Sequence, residues 1–381
     1  MIDFKKEIVE LLGKQIPDVD KDNLTNLIEI PPSSDMGDFA FPTFSFAKTM
    51  RKAPNLIAEE IAKNINSEYF EKIETKGPYL NFFINKEILT KDVIKEVLKK
   101  ESEYGKSNIG QGRNVVIDFS SPNIAKAFHI GHLRSTVIGN AIRNIYDFLG
   151  FNTVAVNHLG DYGTQFGMLI TAYKLWGDEE AVKENPIPEL LKLSVRINQE
   201  AEEDESLRDE SRSWFKKLEH GDEEAIRLWT FFKEASLKEF NRVYEMLGIT
   251  FDSFNGEAFY SDKMDPVIEE LEEKNLLEES ENTTIVNLDE FNMTPMLIKK
   301  SDGSTLYATR DLAAAYYRKN TYDFYKNIYV VGSQQNLHFK QLFKVLELLG
   351  NDWAKDCVHI PFGMVSLPEG TMSTRRGNVI Y

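Results

Sequence analysis

Between residues 115 and 148 a strand, a loop carrying two histidines and a lysine, and a helix follow one another, and few folds accommodate that order. Val115-Val116-Ile117-Asp118-Phe119 is an apolar run of strand length. The loop reads Ser-Ser-Pro-Asn-Ile-Ala-Lys-Ala-Phe-His-Ile-Gly-His-Leu-Arg-Ser from Ser120 to Ser135. Beyond it Leu133, Val137, Ile138, Ala141, Ile145 and Phe148 recur at helical spacing until Gly150, and Val154 and Val156 then alternate as a strand would. Such a β-loop-α-β unit belongs to an open parallel sheet and presents a helix N-terminus at one sheet edge. The unpaired N–H groups and dipole there favour an anion.

His129 and His132 stand three apart around Gly131, so both rings can face one side while a bare backbone lets a nucleotide approach. Their N–H groups can hold phosphate oxygens. Lys126 adds a mobile positive charge, suited to the charge that builds on phosphorus during a displacement, where positioning and electrostatics supply most of the rate. Taken alone, His-x-x-His reads equally well as surface decoration or half a metal site.

At 381 residues the chain is too long for one average domain, and two or three are expected. Residues 1 to about 105 read as a small α+β domain: Ile8, Leu11 and Leu12 mark a helix, 31–40 a turn-rich break, Ile57 to Ile65 a second helix, Tyr79 to Ile84 a strand, and a helix then runs to Lys99. Glu101 to Ser107 is polar and aperiodic and reads as the linker to a second domain over 106–381. Within that domain, residues from about 174 to 247 are rich in Glu, Lys and Arg at helical spacing, with Trp214, Leu228, Trp229, Phe232 and Phe240 on the apolar side. This is expected to be a helical insertion, its Glu202–Glu205 charge run a solvated face. Short strands are expected from Thr284, with a turn at Lys300–Ser304.

A net charge of −16 argues against nonspecific nucleic-acid binding, so a polynucleotide partner would need a local basic patch. No apolar run approaches the roughly 20 residues of a membrane span, and Met1 to Glu7 lacks the apolar core of a signal peptide. A soluble, cytoplasmic protein is expected. One cysteine, Cys357, leaves no intrachain disulfide and no multi-thiolate zinc site, fits a reducing compartment, and reads as a buried filler.

The loop resembles the His-Ile-Gly-His signature of class I aminoacyl-tRNA synthetases, and Ser-Pro-Asn-Ile-Ala-Lys before it is similar to the arginyl-tRNA synthetases. Asn157–Gly167, Tyr307–Asp311 and Ser333–His338 resemble further segments of that family, in its order. Met372-Ser373-Thr374-Arg375-Arg376-Gly377 resembles the family's form of the second class I signature, Lys-Met-Ser-Lys-Ser. The resemblance covers most of the chain from about Gly105 to Tyr381. It implies a Rossmann-like parallel sheet carrying the helical insertion, and for residues 1–105 contact with the elbow of tRNA. The activity implied is ligation of L-arginine to its tRNA at the expense of ATP.

A pocket selective for guanidinium should offer carboxylates in its plane beside an aromatic or hydroxyl group. Asp118, at the carboxyl end of the first strand, and Asp311, four residues after Tyr307, are placed to do this. The resemblance carries guanidinium recognition onto Asp118, Tyr307 and Asp311, and the α-amino and carboxylate contacts onto Asn123 and Gln335. Without it, Asp311 reads as a helix N-terminal capping carboxylate. ATP handling falls on His129, Gly131, His132, Met372, Ser373 and Thr374. The groups expected to stabilise the phosphates are Lys126, His129, His132, Arg375 and Arg376. Mg²⁺ is expected to arrive bound through ATP phosphates, with no zinc, and the protein to act as a monomer.

The chain departs from the family in three places. Thr371 and Thr374 stand where the second signature has lysines, and the resemblance implies that Lys126 compensates, helped by Arg375 and Arg376. Ala127 replaces the common proline before the histidines. The family's anticodon-reading helical bundle is not represented, which reads as a shortened chain or a paralogue without it; the apolar break-off at Asn378–Tyr381 favours the former. Since such enzymes usually need tRNA to activate arginine, a chain lacking the bundle can be weak even with its site intact. Two rivals stay open: another nucleotidylyltransferase with a His-x-Gly-His loop, and a non-catalytic binder of arginine, ATP or tRNA.

Overall fold

Ile8 and Leu12, one turn apart, bury one face of α1 (Phe4–Gly13), whose first turn is capped by the Asp3 carboxylate accepting from the Lys6 N–H. The structure is a computed structural model and describes all residues except 17, 18, 281, 282, 300–306, 368, 369 and 372–381. It falls into two units, Met1–Gly105 and Lys106–Tyr381.

In the first unit α1 is followed by α2 (Lys21–Leu27), β1 (Phe39–Pro42), α3 (Ala47–Met50), α4 (Pro54–Asn64), β2 (Phe70–Lys76), β3 (Tyr79–Ile84) and α5 (Lys86–Lys100). Strands pair antiparallel in the order β1-β3-β2. Phe41, Leu80 and Phe82 pack with Ile8, Leu12 and Ile57 in one core. The expected strand at Tyr79–Ile84 is the central one. Its two neighbours escaped the sequence reading: β1 starts inside the turn-rich stretch, and β2, Phe-Glu-Lys-Ile-Glu-Thr-Lys, is an edge strand with mostly polar residues.

The second unit opens with β4 (Asn114–Asp118), α6 (Ile130–Phe148) and β5 (Asn152–Val156), the β-loop-α-β unit that the sequence predicts. After α7 (Thr164–Trp176) come the helices of the insertion, α8 (Glu179–Glu184), α9 (Pro186–Glu203), α10 (Glu205–Glu219) and α11 (Glu223–Leu247). Their apolar faces, including Ile187, Leu190, Trp214, Leu228, Phe232 and Phe240, share a core with α7, while Glu202 to Glu205 are exposed. Then follow α12 (Asp265–Glu273), an antiparallel sheet of β6 (Leu277–Ser280), β7 (Thr283–Val286) and β8 (Met296–Lys299), α13 (Tyr307–Tyr322), β9 (Lys326–Gly332), α14 (Asn336–Leu348) and β10 (Cys357–Phe362). The turn expected at 300–304 lies outside the described residues.

The main sheet is parallel, in the order β10-β9-β4-β5. The chain leaves β4 toward β5 on one side and returns as β9 on the other, so the switch point lies between β4 and β9. Ligands of open α/β sheets bind outside the carboxyl ends of strands at such a point. Close approach of α6 to β4 depends on Gly139, where a Cβ would stand 2.2 Å from Cγ of the buried Phe119. Cys357, 6 % exposed, is buried at the start of β10.

Candidate active site

Three non-glycine residues of the loop after β4 have positive φ: Ser120 (75°), Ser121 (48°) and Ala125 (59°). Such conformations cost on the order of 1–3 kcal/mol each and persist only where surroundings hold them. Here a buried hydrogen-bond network does so. The Ser120 N–H donates to Ser135 Oγ (3.1 Å), the Ser120 hydroxyl meets Thr136 Oγ1 and the Tyr244 hydroxyl (both 2.8 Å), and Asn157 joins Tyr244 (2.9 Å) to the Ser121 N–H (3.1 Å). The Ala125 N–H donates to Ser236 Oγ of α11 (2.8 Å). Helix α6, the end of β5 and the insertion thus fix the loop together.

At the start of α6 the two imidazoles cap the helix. His129 Nδ1 accepts from the Gly131 N–H at 3.1 Å, and His132 Nδ1 accepts from the His129 N–H at 3.2 Å. The rings stack at 3.8 Å with planes 24° apart. A neutral imidazole that accepts at Nδ1 carries its proton on Nε2, so this bonding pattern assigns an Nε2–H donor to each ring. Burial pushes both below the ordinary value, His132 to about 3, with His129 and Lys126 adding to the effect there. The pair therefore offers neutral donors at a helix N-terminus.

Beside it, at the β4–β9 edge, lies a cavity of about 310 Å³ lined by Asp118, Ser121, Asn123, His158, Gly160, Glu257, Tyr307, Asp311, Tyr329, Val331, Gln335, His338 and Phe339. Asp118 comes from the end of β4; its Oδ1 accepts from Ser121 Oγ (3.0 Å) and its Oδ2 from Arg318 Nη2 (2.7 Å). Asn123 is set by a backbone bridge to Gly160, where a Cβ would come within 1.9 Å of the Asn123 Oδ1. Tyr307 and Asp311, one turn apart on α13, face the cavity together. Asp311 does not act as a helix cap: its Oδ2 meets His338 Nε2 at 2.6 Å. Burial raises the Asp311 carboxyl, but the His338 bond and nearby positive groups outweigh it and leave it below the ordinary value. Gln335 enters from the turn after β9.

All five residues expected at the amino acid share this cavity. The expected phosphate groups are arranged otherwise. His129 borders a neighbouring apolar groove with Phe128, Ile187 and Phe240, and Lys126 a polar groove with Gln165 of α7 and Ser194, Asn198 and Glu202 of α9. Lys126 still lies near enough for its charge to act on His132. Met372, Ser373, Thr374, Arg375 and Arg376 lie outside the described residues. No group of three or more His, Cys, Asp or Glu able to hold a metal ion occurs among the described residues, nor any helix long and apolar enough to cross a membrane.

Glu257, His158, His338 and Tyr329 were not singled out from sequence. Burial raises the Glu257 carboxyl to about 7, with Arg310 opposing and Asp311 and Asp161 adding to the rise. Asp161 has no exposed surface and is bound by Lys233 (2.8 Å) and the Ala258 N–H (2.8 Å), which holds the loop after β5 against α11 and against the segment bearing Glu257. His158, stacked on Tyr260 at 5.4 Å, is lowered by burial. His158 and His338 lie inside segments that carry the family resemblance; Glu257, the first residue of a short 3₁₀ helix (Glu257–Lys263), has no periodic signal.

The family model for the catalytic domain of class I tRNA synthetases of the arginine type matches residues 93–381, and that for the arginyl tRNA synthetase N-terminal domain matches 3–84. An arginine–tRNA ligase of Halothermothrix orenii is 60 % identical over 382 aligned residues, covering 100 % of this chain and 68 % of the relative. That of Clostridioides difficile is also 60 % identical, with the same coverage. Among solved structures, the arginyl-tRNA synthetase of Plasmodium falciparum is similar at a TM-score of 0.64 and 28 % identity, over 94 % of this chain and 65 % of that one. The Thermus thermophilus structure, at a TM-score of 0.65 and 19 % identity over 99 % and 68 %, shares the fold. The chain thus spans about two thirds of the length of these relatives.

Proposed function

Because the chain belongs to the class I arginyl-tRNA synthetases, we propose that it activates L-arginine with ATP and passes the arginyl group to tRNA, with the cavity between β4 and β9 holding the amino acid. The arginine carboxylate attacks the α-phosphorus of ATP and pyrophosphate leaves; a hydroxyl of the 3′-terminal ribose of the tRNA then takes the acyl group from the adenylate, releasing AMP.

Asp311 and Asp118 receive the guanidinium, with Tyr307 beside it at the mouth, and Asn123 and Gln335 take the α-amino and carboxylate groups. Lysine is disfavoured, since an ammonium is a point charge and would leave acceptors set for a planar donor fork unsatisfied. The Nε2–H groups of His129 and His132, with Gly131 giving a close backbone, hold the phosphates, and Lys126 approaches the charge that grows on them. Neutral donors fixed before the reaction stabilise developing charge without reorganising. Arg375 and Arg376 add positive charge for the departing pyrophosphate, and Met372, Ser373 and Thr374 take part in binding ATP. Mg²⁺ enters with ATP through its phosphate oxygens. Residues 1–105 contact the tRNA elbow, and the protein acts in the cytoplasm as a monomer.

One observation carries this reading: five residues spread from position 118 to 335, three expected at the guanidinium and two at the α-amino and carboxylate groups, line one cavity at the sheet's switch point. Arginine-dependent ATP–pyrophosphate exchange, run with and without tRNA and with lysine as control, tests it. Exchange with arginine alone is expected; equal exchange with lysine, or none with tRNA present, contradicts it.

A further inference from the structure

Helix α13 carries Tyr307, Asp311 and Arg318, which at separations of four and seven residues share one helical face. Ala314 and Ala315 lie between and are buried. Arg318 is 1 % exposed. Its Nη2 donates to Asp118 Oδ2 at 2.7 Å and toward His158 Nδ1 at 3.3 Å, and its guanidinium stands 5.2 Å from the Tyr329 ring centre. Among the described residues its Nε and Nη1 are buried without a hydrogen bond of ordinary geometry, although the Tyr260 hydroxyl lies close enough to interact with the guanidinium. For stability alone this is a poor use of an arginine, since a buried ion pair with unsatisfied donors is often less favourable than a well-packed apolar side chain. One helix face thus delivers a carboxylate to the cavity through Asp311 and takes the charge of the other through Arg318.

On the reading of this cavity as the arginine site, we propose that Arg318 is a positioning residue for substrate specificity: it fixes the Asp118 carboxylate and cancels its charge, leaving Asp311 to attract one incoming guanidinium. Asp118 then serves as an oriented acceptor rather than a second net charge. The Ser121 bond to Oδ1 completes the clamp. Charged and titratable groups around Asp118 are Arg318, His158 from the loop after β5, Tyr260, Tyr329 of β9 and Asp311. Although burial opposes the charge on Arg318, Asp118 and its neighbours raise its pKa, so it remains a cation at every working pH. In Arg318→Met, Asp118 becomes a lone buried carboxylate without the donor that orients it.

The test is titration calorimetry of arginine binding by the parent chain, Arg318→Lys and Arg318→Met, with ATP binding as the control for a folded site. Expected is a deficit for Arg318→Met of at least about tenfold in arginine affinity with ATP affinity unchanged, because Asp118 loses the donor that orients it. Arg318→Lys keeps the cation and is expected to restore arginine affinity to within about tenfold of the parent. A ratio of Arg318→Met to parent that is unity, or a loss in Arg318→Lys as large as in Arg318→Met, overturns the proposal. If Arg318→Met does not fold, a loss in Arg318→Lys beyond about tenfold overturns it, and a smaller one sustains it. Failure of the parent itself to bind arginine would instead count against the assignment of the cavity.

Discussion

In the cavity at the end of β4, carboxylates stand against partners, Asp118 against Arg318 and Asp311 against His338, whereas at the start of α6 burial disfavours the charged form of two imidazoles, His129 and Lys126 adding to the effect at His132. Both lie beyond the carboxyl edge of one sheet, and they handle charge oppositely. On the proposed function the cavity selects a cation, which calls for net negative charge held in a fixed plane. The histidine pair would on the same reading meet a triphosphate, to which two Nε2–H groups at a helix N-terminus offer donors already in place. Selection by charge and stabilisation of charge would then use different residue types at one sheet edge.

That contrast breaks first at His132. Its replacement by alanine removes a preset donor, and the arginine-dependent exchange rate is expected to fall about 10²- to 10³-fold, while arginine affinity by calorimetry hardly changes. Lys126→Ala should likewise act on rate rather than affinity; equal effects on both would merge the two regions into one. Asp311→Asn reverses the pattern, weakening arginine about 10²-fold as expected for one side of a close charge pair and leaving ATP affinity unaltered.

Smaller effects sharpen the boundary. Gly160→Ala would set a Cβ 1.9 Å from the Asn123 Oδ1, and displacement of Asn123 is expected to cost about tenfold in arginine affinity, in line with other overpacked sites. Smallest is the pH response of Glu257. With its carboxyl raised by burial to about 7 from an ordinary 4.5, the folded protein holds a proton between those values that the unfolded chain has released. Its contribution to stability therefore declines as pH rises through that window. Arginine binding should strengthen a few-fold from about pH 6 to 8 as the carboxylate forms, and Glu257→Gln should flatten the curve.

Much of this could be read from residues, though unevenly. The β4-α6-β5 unit was legible because its period changes from 2 to 3.6 and back across a loop with few tolerable alternatives, and the insertion because Trp214, Phe232 and Phe240 keep helical spacing over a long span. Strands β1 and β2 were not, since a four-residue strand in a turn-rich stretch and a polar edge strand carry little apolar alternation. At the site, Asp118 and Asp311 were legible through the family resemblance, which supplies the guanidinium that carboxylates would bind; without it Asp311 reads as a helix cap. Their partners could not be found that way: Arg318 is recognisable only once Asp311 is known to face inward, and the pairing of Asp118 with it joins residues 200 positions apart. The capping role of the histidines depends on ring orientation, which spacing does not determine.

The cavity is proposed to recognise a charged planar guanidinium. Titration of the chain with L-arginine, L-citrulline and L-lysine in one buffer tests it most directly, because citrulline keeps arginine's shape without its charge and lysine keeps the charge without the plane. Binding of arginine with both others weaker by about 10²-fold or more is predicted. Citrulline binding as well as arginine would contradict the role of the carboxylates, and lysine doing so would contradict the role of their geometry.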